Sequence, residues 1–413
     1  MRSTNVELSY ILLYVITCVI SLLQALGSDC FPGELARYSR LISDLEVIIL
    51  SIFNILSFII AYIIYISFST KSILVHKKWK VIFNEKKAHN IFLVILVMQI
   101  FFLLYTGVGK VSISGVVNTH PLSPVFAILK PDTFALIYYV LCRSKYKLSS
   151  GSKLFFLNIG LFCIFKLLQG WTGFFLHFFV LEMYCRQREM KGVSQRIKRR
   201  LISIFFFPIV VIILGGAVYQ HLYVIKNEIR GNNVKEITYM EGVKHLSSRL
   251  SMNPNSLGAY QNLDKIVDLA RAENTPLKEG KSILRPIVPS SWMEKEFRNL
   301  NNSVMHSYTH DLISGTSSDF GIIMYTTTLI NSDVTDFVLY CILVVVFVFV
   351  SKVYFDTLSN GDGTLNIVFF LLLFKLVYTA SLEATFGHGF FSNIYSFMVF
   401  MMFGGFVIQK KEI

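Results

Sequence analysis

The sequence predicts an all-α polytopic membrane protein of about ten transmembrane helices, with one large outer loop of short helices, and three observations predict it. Hydrophobic residues make up 54% of the 413 positions and charged residues only 16%, whereas a soluble domain carries about 25% charged residues. The mean hydropathy is +0.56. The apolar residues also fall in blocks of about 18–25, the length that crosses a hydrocarbon core of roughly 30 Å. Disordered, collagenous, disulfide-rich and coiled-coil classes are excluded by the same figures.

In chain order the spans are expected at 8–26, 46–68, 90–108, 122–142, 154–169, 172–184, 200–224, 335–355, 364–381 and 389–408. The first block is long and lacks a small-residue cleavage site, so it is read as a span and not as a removable signal. The fifth and sixth are short and separated by Gly170-Trp171-Thr172-Gly173, a turn that makes them a tight helical hairpin. Cys18, Cys163 and Cys341 lie inside apolar blocks, Cys142 and Cys185 at block ends, and Cys30 in a polar loop. No pair shares an oxidising loop, so no structural disulfide is expected.

The net charge of +13 matters less than where the cations fall. The connections 69–89, 143–153 and 185–199 carry KKWK, RSKYK and RQREMKGVSQRIKR, and the chain ends near Lys410 and Lys411. The alternate connections 27–45, 109–121 and 382–388 hold only Arg37, Arg40 and Lys110. Basic loops stay on the cytoplasmic side, so both termini are expected inside. Three regions follow: helices 1–7 over 1–224, an outer loop domain over 225–334, and helices 8–10 with a cytoplasmic tail over 335–413. The outer loop carries 12 Lys/Arg against 12 Asp/Glu. Within it Asn262 to Glu273 reads as a helix with Ile266, Leu269 and Ala270 on one face. Ser291-Trp292-Met293-Glu294 fits a capping box.

Ionisable residues inside spans are costly and face a cavity or a partner. Lys130 and Asp132 flank Pro131 in the fourth span, and Lys166 and Lys375 lie in the fifth and ninth. They read either as internal pairs, with Asp132 or Glu182 as partner, or as ligands of an anion such as phosphate. On the outer side stand Arg37, Arg40, Arg249, Arg285, His306, His310, Asp311, Glu383 and His388. Arginine holds phosphate oxygens bidentately, and a histidine or carboxylate can take a hydroxyl proton. HSYTH places two histidines four apart without a HExxH glutamate or a third ligand, so no metal site is expected there. Walker and GxSxG patterns do not occur, which disfavours ATP-driven transport and serine hydrolysis.

Several stretches carry a resemblance to a known family: FPGELARYSRLI, the TGVG ending the third span, LKPDTFALIYYVLCRSK, LLQGWTGFFLHFFVLEMY, SSRLSMNPNSLGAYQ and SGTSSDFGIIMYTTTLI. Together they resemble the bacterial O-antigen polymerases (the Wzy family), integral-membrane enzymes that lengthen lipid-linked polysaccharide. The sequence departs from many relatives in having Trp171-Thr172 where they carry an arginine in the hairpin turn. The resemblance implies a C-type-glycosyltransferase-like fold in the bacterial inner membrane with its active site on the periplasmic side. It implies transfer of a growing glycan from undecaprenyl diphosphate to the sugar of an incoming lipid-linked repeat unit. No cofactor, metal or nucleic acid is then expected. Membrane lipid and a chain-length-determining co-polymerase are the expected partners. The reaction would need Arg249, Arg285, Arg40 and Lys130 for the diphosphate and His310, with His306 and Asp311, as base. Tyr260, Trp171 and Trp292 would stack on sugars. The alternatives are an O-antigen ligase acting on lipid A-core, and a lipid-linked oligosaccharide flippase, which should show two similar halves.

Overall fold

A computed structural model describes residues 5–36, 38–70, 79–110, 120–145, 153–189, 193–229, 236–273, 275–285, 288, 292–293, 299–301 and 319–410. Six helical stretches among them are long and apolar enough to cross a membrane. They are α1 (Asn5–Leu26), α2 (Asp44–Ser69), α3 (Glu85–Thr106), the stretch Ser123–Ser144, Phe206–Ile225 and Val334–Leu358. The protein is an all-α membrane protein at this level.

Local sequence sets the helix ends. Ser43 opens α2 with a reciprocal capping box to Glu46, which satisfies two of the orphan amides at the helix start. Gly107 closes α3 at φ 68°, a left-handed conformation that a residue with Cβ resists. Pro131, which has no amide to donate, splits the fourth span into α4 (Ser123–Ile128) and α5 (Asp132–Lys145). The expected hairpin is α6 (Lys153–Leu168) and α7 (Phe174–Glu189), turned at Gly170. The seventh expected span lies within α8 (Val193–Ile229).

The segment after α8 forms α9 (Tyr239–Ser251), α10 (Asn253–Gln261), α11 (Leu263–Ala272) and α12 (Lys278–Leu284), followed later by α13 (Gly321–Ser332). The helix expected over 262–273 is α11, with Ile266 fully buried. Ser291 and Glu294 of the expected capping box lie outside the described residues. These helices do not stand apart as a cap. α9 packs against α1 and α8, and α10 against α1 and α2. Small and amide side chains allow it: Asn253 accepts from Asn54 Nδ2 and donates to Ser51 Oγ, both at 2.9 Å. Satisfied in this way, the polar groups of α10 can be buried beside the middle of α2.

The last third comprises α14 (Val334–Leu358), α15 (Asn366–Thr379), a π-helical segment at Glu383–Phe391 and α16 (Ser392–Met402). Aromatic rings of α1, α2 and α15 fill the centre, with Tyr14 and Phe374 at 4.1 Å and Phe58 and Phe374 stacked at 5.0 Å. The single helix expected over 389–408 is corrected. Helix stops at Met402, Gly404 turns at φ 73°, and strand β2 (Phe406–Lys410) pairs antiparallel with β1 (Trp79–Phe83). Two adjacent glycines break the helix, and the alternating Phe-Val-Ile-Gln-Lys that follows suits a pleated edge. This pairing brings Trp79–Phe83, which leads into α3, and Phe406–Lys410, which follows α16, side by side.

Candidate functional site

Asp132 begins α5 immediately after Pro131, so its carboxylate stands at a helix N-terminus, where negative charge is favoured. Two lysines converge on it. Lys166, in the last turn of α6, places Nζ 2.8 Å from one carboxylate oxygen, and Lys130 lies 3.3 Å from the other. Lys166 also donates to Gln169 Oε1 at 3.0 Å. The hairpin turn fixes that arrangement, because the amide of Trp171 donates to the Lys166 carbonyl at 2.9 Å. The Trp171 ring is half-exposed, with Lys166 Nζ 5.7 Å from its centroid.

A third lysine enters from α15. Lys375 donates to the Ala384 carbonyl at 2.7 Å and stands within electrostatic reach of Asp132. Gly389 of the π segment lies against both neighbours: a Cβ there would stand 3.8 Å from Lys375 Nζ and from Thr133 Oγ1. Three lysines stand here against Asp132, with Asp319 also within electrostatic reach of Lys375, so cations outnumber carboxylates in a largely buried place.

Glu383, adjacent to Ala384, joins this cluster to a second one. Arg285, which ends α12, holds it bidentately, with Nε at 2.9 Å from Oε1 and Nη2 on Oε2. Asn299 approaches at 3.4 Å and His388 at 3.5 Å. Burial alone would raise the Glu383 pKa, but the hydrogen bonds from His388 and Arg285 prevail and hold it below the ordinary carboxylate range. The imidazole of His388 stays half-exposed. π-Helical segments concentrate at functional sites, and this one carries Glu383, Ala384, His388 and Gly389.

Behind Arg285, Glu279 is buried and hydrogen-bonded to the Tyr325 hydroxyl at 2.8 Å. Burial pushes its pKa up to about 7, and nearby Asp336 and Glu383 act in the same direction.

The structure therefore gathers part of the expected site. Lys130, Trp171 and Arg285 lie in the two joined clusters. Arg40 instead pairs with Asp44 at 2.7 Å and donates to the Ile42 carbonyl. Tyr260 bonds Glu46 at 3.2 Å, on the neighbouring surface where α2 begins. Arg249 is exposed in the last turn of α9, and its carbonyl accepts from the Tyr378 hydroxyl. Trp292 is 81% exposed. His306, His310 and Asp311 lie outside the described residues, as does Arg37. Of the two partners expected for Lys166, Asp132 is the one used, while Glu182 bonds Arg143, Arg186 and Tyr139. Sequence reasoning missed Gln169 and Glu279. Gln169 borders the turn motif and was within reach of it, whereas nothing around Glu279 marks a carboxylate paired to a tyrosine 46 positions away. No protein-family model, curated protein or solved structure matches this chain.

Proposed function

We propose that this chain polymerises lipid-linked glycan repeat units at the periplasmic face of a bacterial inner membrane. The growing glycan moves from undecaprenyl diphosphate to the sugar of the incoming repeat unit. In the reaction the acceptor hydroxyl oxygen bonds the anomeric carbon and the bond from that carbon to the diphosphate oxygen breaks. The hydroxyl proton passes to a base, and the electron pair leaves with the diphosphate.

One observation carries the reading: the cluster of Lys130, Lys166 and Lys375 around Asp132, with Asp319 within reach of Lys375. Its excess of positive charge suits the negative charge of a diphosphate diester, and more negative charge develops as that group departs. Cations already in place at that point stabilise the transition state without reorganisation. Arg285, oriented by Glu383, would meet the diphosphate, with Arg249 and Arg40 nearer the surface. Trp171, beside Lys166, would take the face of a sugar ring, with Tyr260 and Trp292 further out. His310, supported by His306 and Asp311, would act as base. Among the described groups His388 has the matching arrangement, an accessible imidazole held by a carboxylate. Ten crossings with both termini cytoplasmic would put this cluster at the outer face, and a chain-length-determining co-polymerase would act beside it.

Deletion and complementation of the gene in its native strain, read on a lipopolysaccharide gel, tests the proposal. Core capped with a single repeat unit on deletion, with the ladder restored by the gene, is the expected result. Bare core with polymer accumulating on the lipid carrier would assign the chain as the ligase instead. Bare core with single lipid-linked units held inside would assign it as the flippase.

A further inference from the structure

At the opposite end of α5 from Asp132, three side chains of different chemistry converge. Glu85 and His89 stand one turn apart on α3, and Cys142 faces them from α5. Their ligand atoms all lie within 4.8 Å of one another. We propose that these residues bind one zinc ion that ties the inner ends of α3 and α5 together.

The His89–Glu85 edge already has the length the ion needs, and the thiol has to close on it. Tetrahedral zinc takes nitrogen and oxygen at about 2.0–2.1 Å and sulfur at about 2.3 Å. Two ligands at roughly 2.0 Å then stand about 3.3 Å apart across the tetrahedron edge. His89 Nε2 and Glu85 Oε1 are 3.3 Å apart. Although it lies so close to a carboxylate, Nε2 makes no hydrogen bond among the described residues, and His89 is 2% exposed. A buried imidazole nitrogen beside a carboxylate, with a thiol that bonds the Tyr138 hydroxyl within 4.8 Å of the cluster, is suited to a cation among them.

The other ring nitrogen is held as a ligand histidine requires. His89 Nδ1 shares a hydrogen bond of 2.5 Å with the Tyr138 hydroxyl, which also accepts from Asn158 Nδ2 at 2.9 Å. Asn158 donates to the His89 carbonyl as well, at 2.9 Å. Such outer partners fix the tautomer and the ring orientation. With Nδ1 carrying the proton, Nε2 presents its lone pair to the site.

Charge balance favours the same ion. Zinc displaces the Cys142 thiol proton to water, so the site holds +2 from the metal, −1 from the thiolate and −1 from the carboxylate. The net charge is zero, which suits a buried site where an unbalanced charge is expensive. Glu85, the most accessible of the three at 15% side-chain exposure, marks the entry path. A water would complete the tetrahedron. Ten residues of α5 separate Cys142 from Asp132, about 15 Å along the helix, so the ion would be remote from the lysine cluster.

The test uses the full chain in detergent, purified by a tag without histidine, stripped with chelator and then given zinc or cobalt alone. One zinc per chain after removal of excess metal is expected. Cobalt should give a thiolate-to-metal charge-transfer band in the near ultraviolet. C142S should abolish that band, and H89A and E85Q should each weaken binding at least tenfold, while C163S and C341S leave it unchanged. Wild-type chain that keeps less than a tenth of an equivalent of zinc and shows no cobalt band overturns the proposal without any variant. A band that survives in C142S also overturns it.

Discussion

Lys166 Nζ and Asp132 Oδ1 meet at 2.8 Å, joining the end of α6 to the start of α5 across the helix break at Pro131. The pair is built from two helix termini. Asp132 sits where the dipole of α5 favours an anion, and Lys166 lies in the last turn of α6, where a cation is favoured. Lys130 and Lys375 then make the site cationic in sum.

Removing the aspartate alone should be costly. Asp132→Ala leaves Lys166, nine-tenths buried, facing two other lysines without its own ion-pair partner, and a loss of roughly 3 kcal/mol is expected. Replacing both partners, as Asp132→Leu with Lys166→Met, should recover most of it, because an apolar pair needs no solvation. Thermal unfolding of the wild type, Asp132→Leu, Lys166→Met and the double variant in one detergent gives the coupling directly. Equal costs that simply add would show that the pair is not coupled.

Arg285 should not be replaceable by lysine. Its fork contacts both oxygens of Glu383, and a lysine ammonium cannot bond both in that geometry. Losing one charge-assisted hydrogen bond is worth about 1.5–3 kcal/mol, or roughly 10- to 150-fold in rate if Glu383 orients the site. Polymer formation by Arg285→Lys should fall by that factor at unchanged protein level. Asn299→Ala, which removes a longer, uncharged contact to Glu383 at 3.4 Å, should affect the Glu383 fork less. Full-length polymer from Arg285→Lys at the wild-type rate would refute a role for the fork.

The close approach of α8 and α9 yields a test of packing. A Cβ on Gly242 would lie 2.8 Å from the Gly216 carbonyl oxygen, a backbone atom that cannot turn aside. Gly242→Ala should therefore destabilise by about 1–3 kcal/mol. Gly160, in the interior of α6, has nothing within 4 Å of a built Cβ. Gly160→Ala should be neutral or gain up to about 1 kcal/mol from helix propensity. Unfolding temperatures that move the same way in both variants would contradict the contact.

What the sequence made legible follows from how local each signal is. Span positions were readable because an apolar block of membrane length is a property of the chain itself, and the break at Pro131 because proline removes its own amide. Lys130, Asp132, Lys166 and Lys375 stood out because a charge in an apolar block is visible without a partner. That the lysines gather on one aspartate depends on how α5, α6 and α15 pack, which periodicity does not encode. The end of the chain misled for the opposite reason. Phe406 to Lys410 is apolar enough to extend a span, yet Gly404 and Gly405 break the helix and β1, more than 300 positions earlier, offers an edge. Glu85, His89 and Cys142 were equally hidden, since only the packing of α3 on α5 brings the thiol to the histidine.

Glu279 should make stability depend on pH near neutrality. Its carboxyl is buried against Tyr325, close to Lys278, Asp336 and Glu383, and burial raises its pKa from 4.5 to about 7 in the folded protein. The unfolded chain releases the proton near 4.5, so between those values the folded state binds more protons and stability falls as pH rises. The contribution is fully present below about pH 4.5 and gone above about pH 7. The shift corresponds to roughly 3 kcal/mol. Glu279→Gln keeps the shape and the hydrogen bond to Tyr325 but cannot ionise. Its unfolding temperature should therefore exceed that of the wild type at pH 8, while the two converge at pH 5. The difference between the two proteins isolates this group, because every other titrating side chain is common to both. A gap that stays constant from pH 5 to pH 8 would mean that Glu279 is ionised throughout, and that the burial around Tyr325 does not act on its charge.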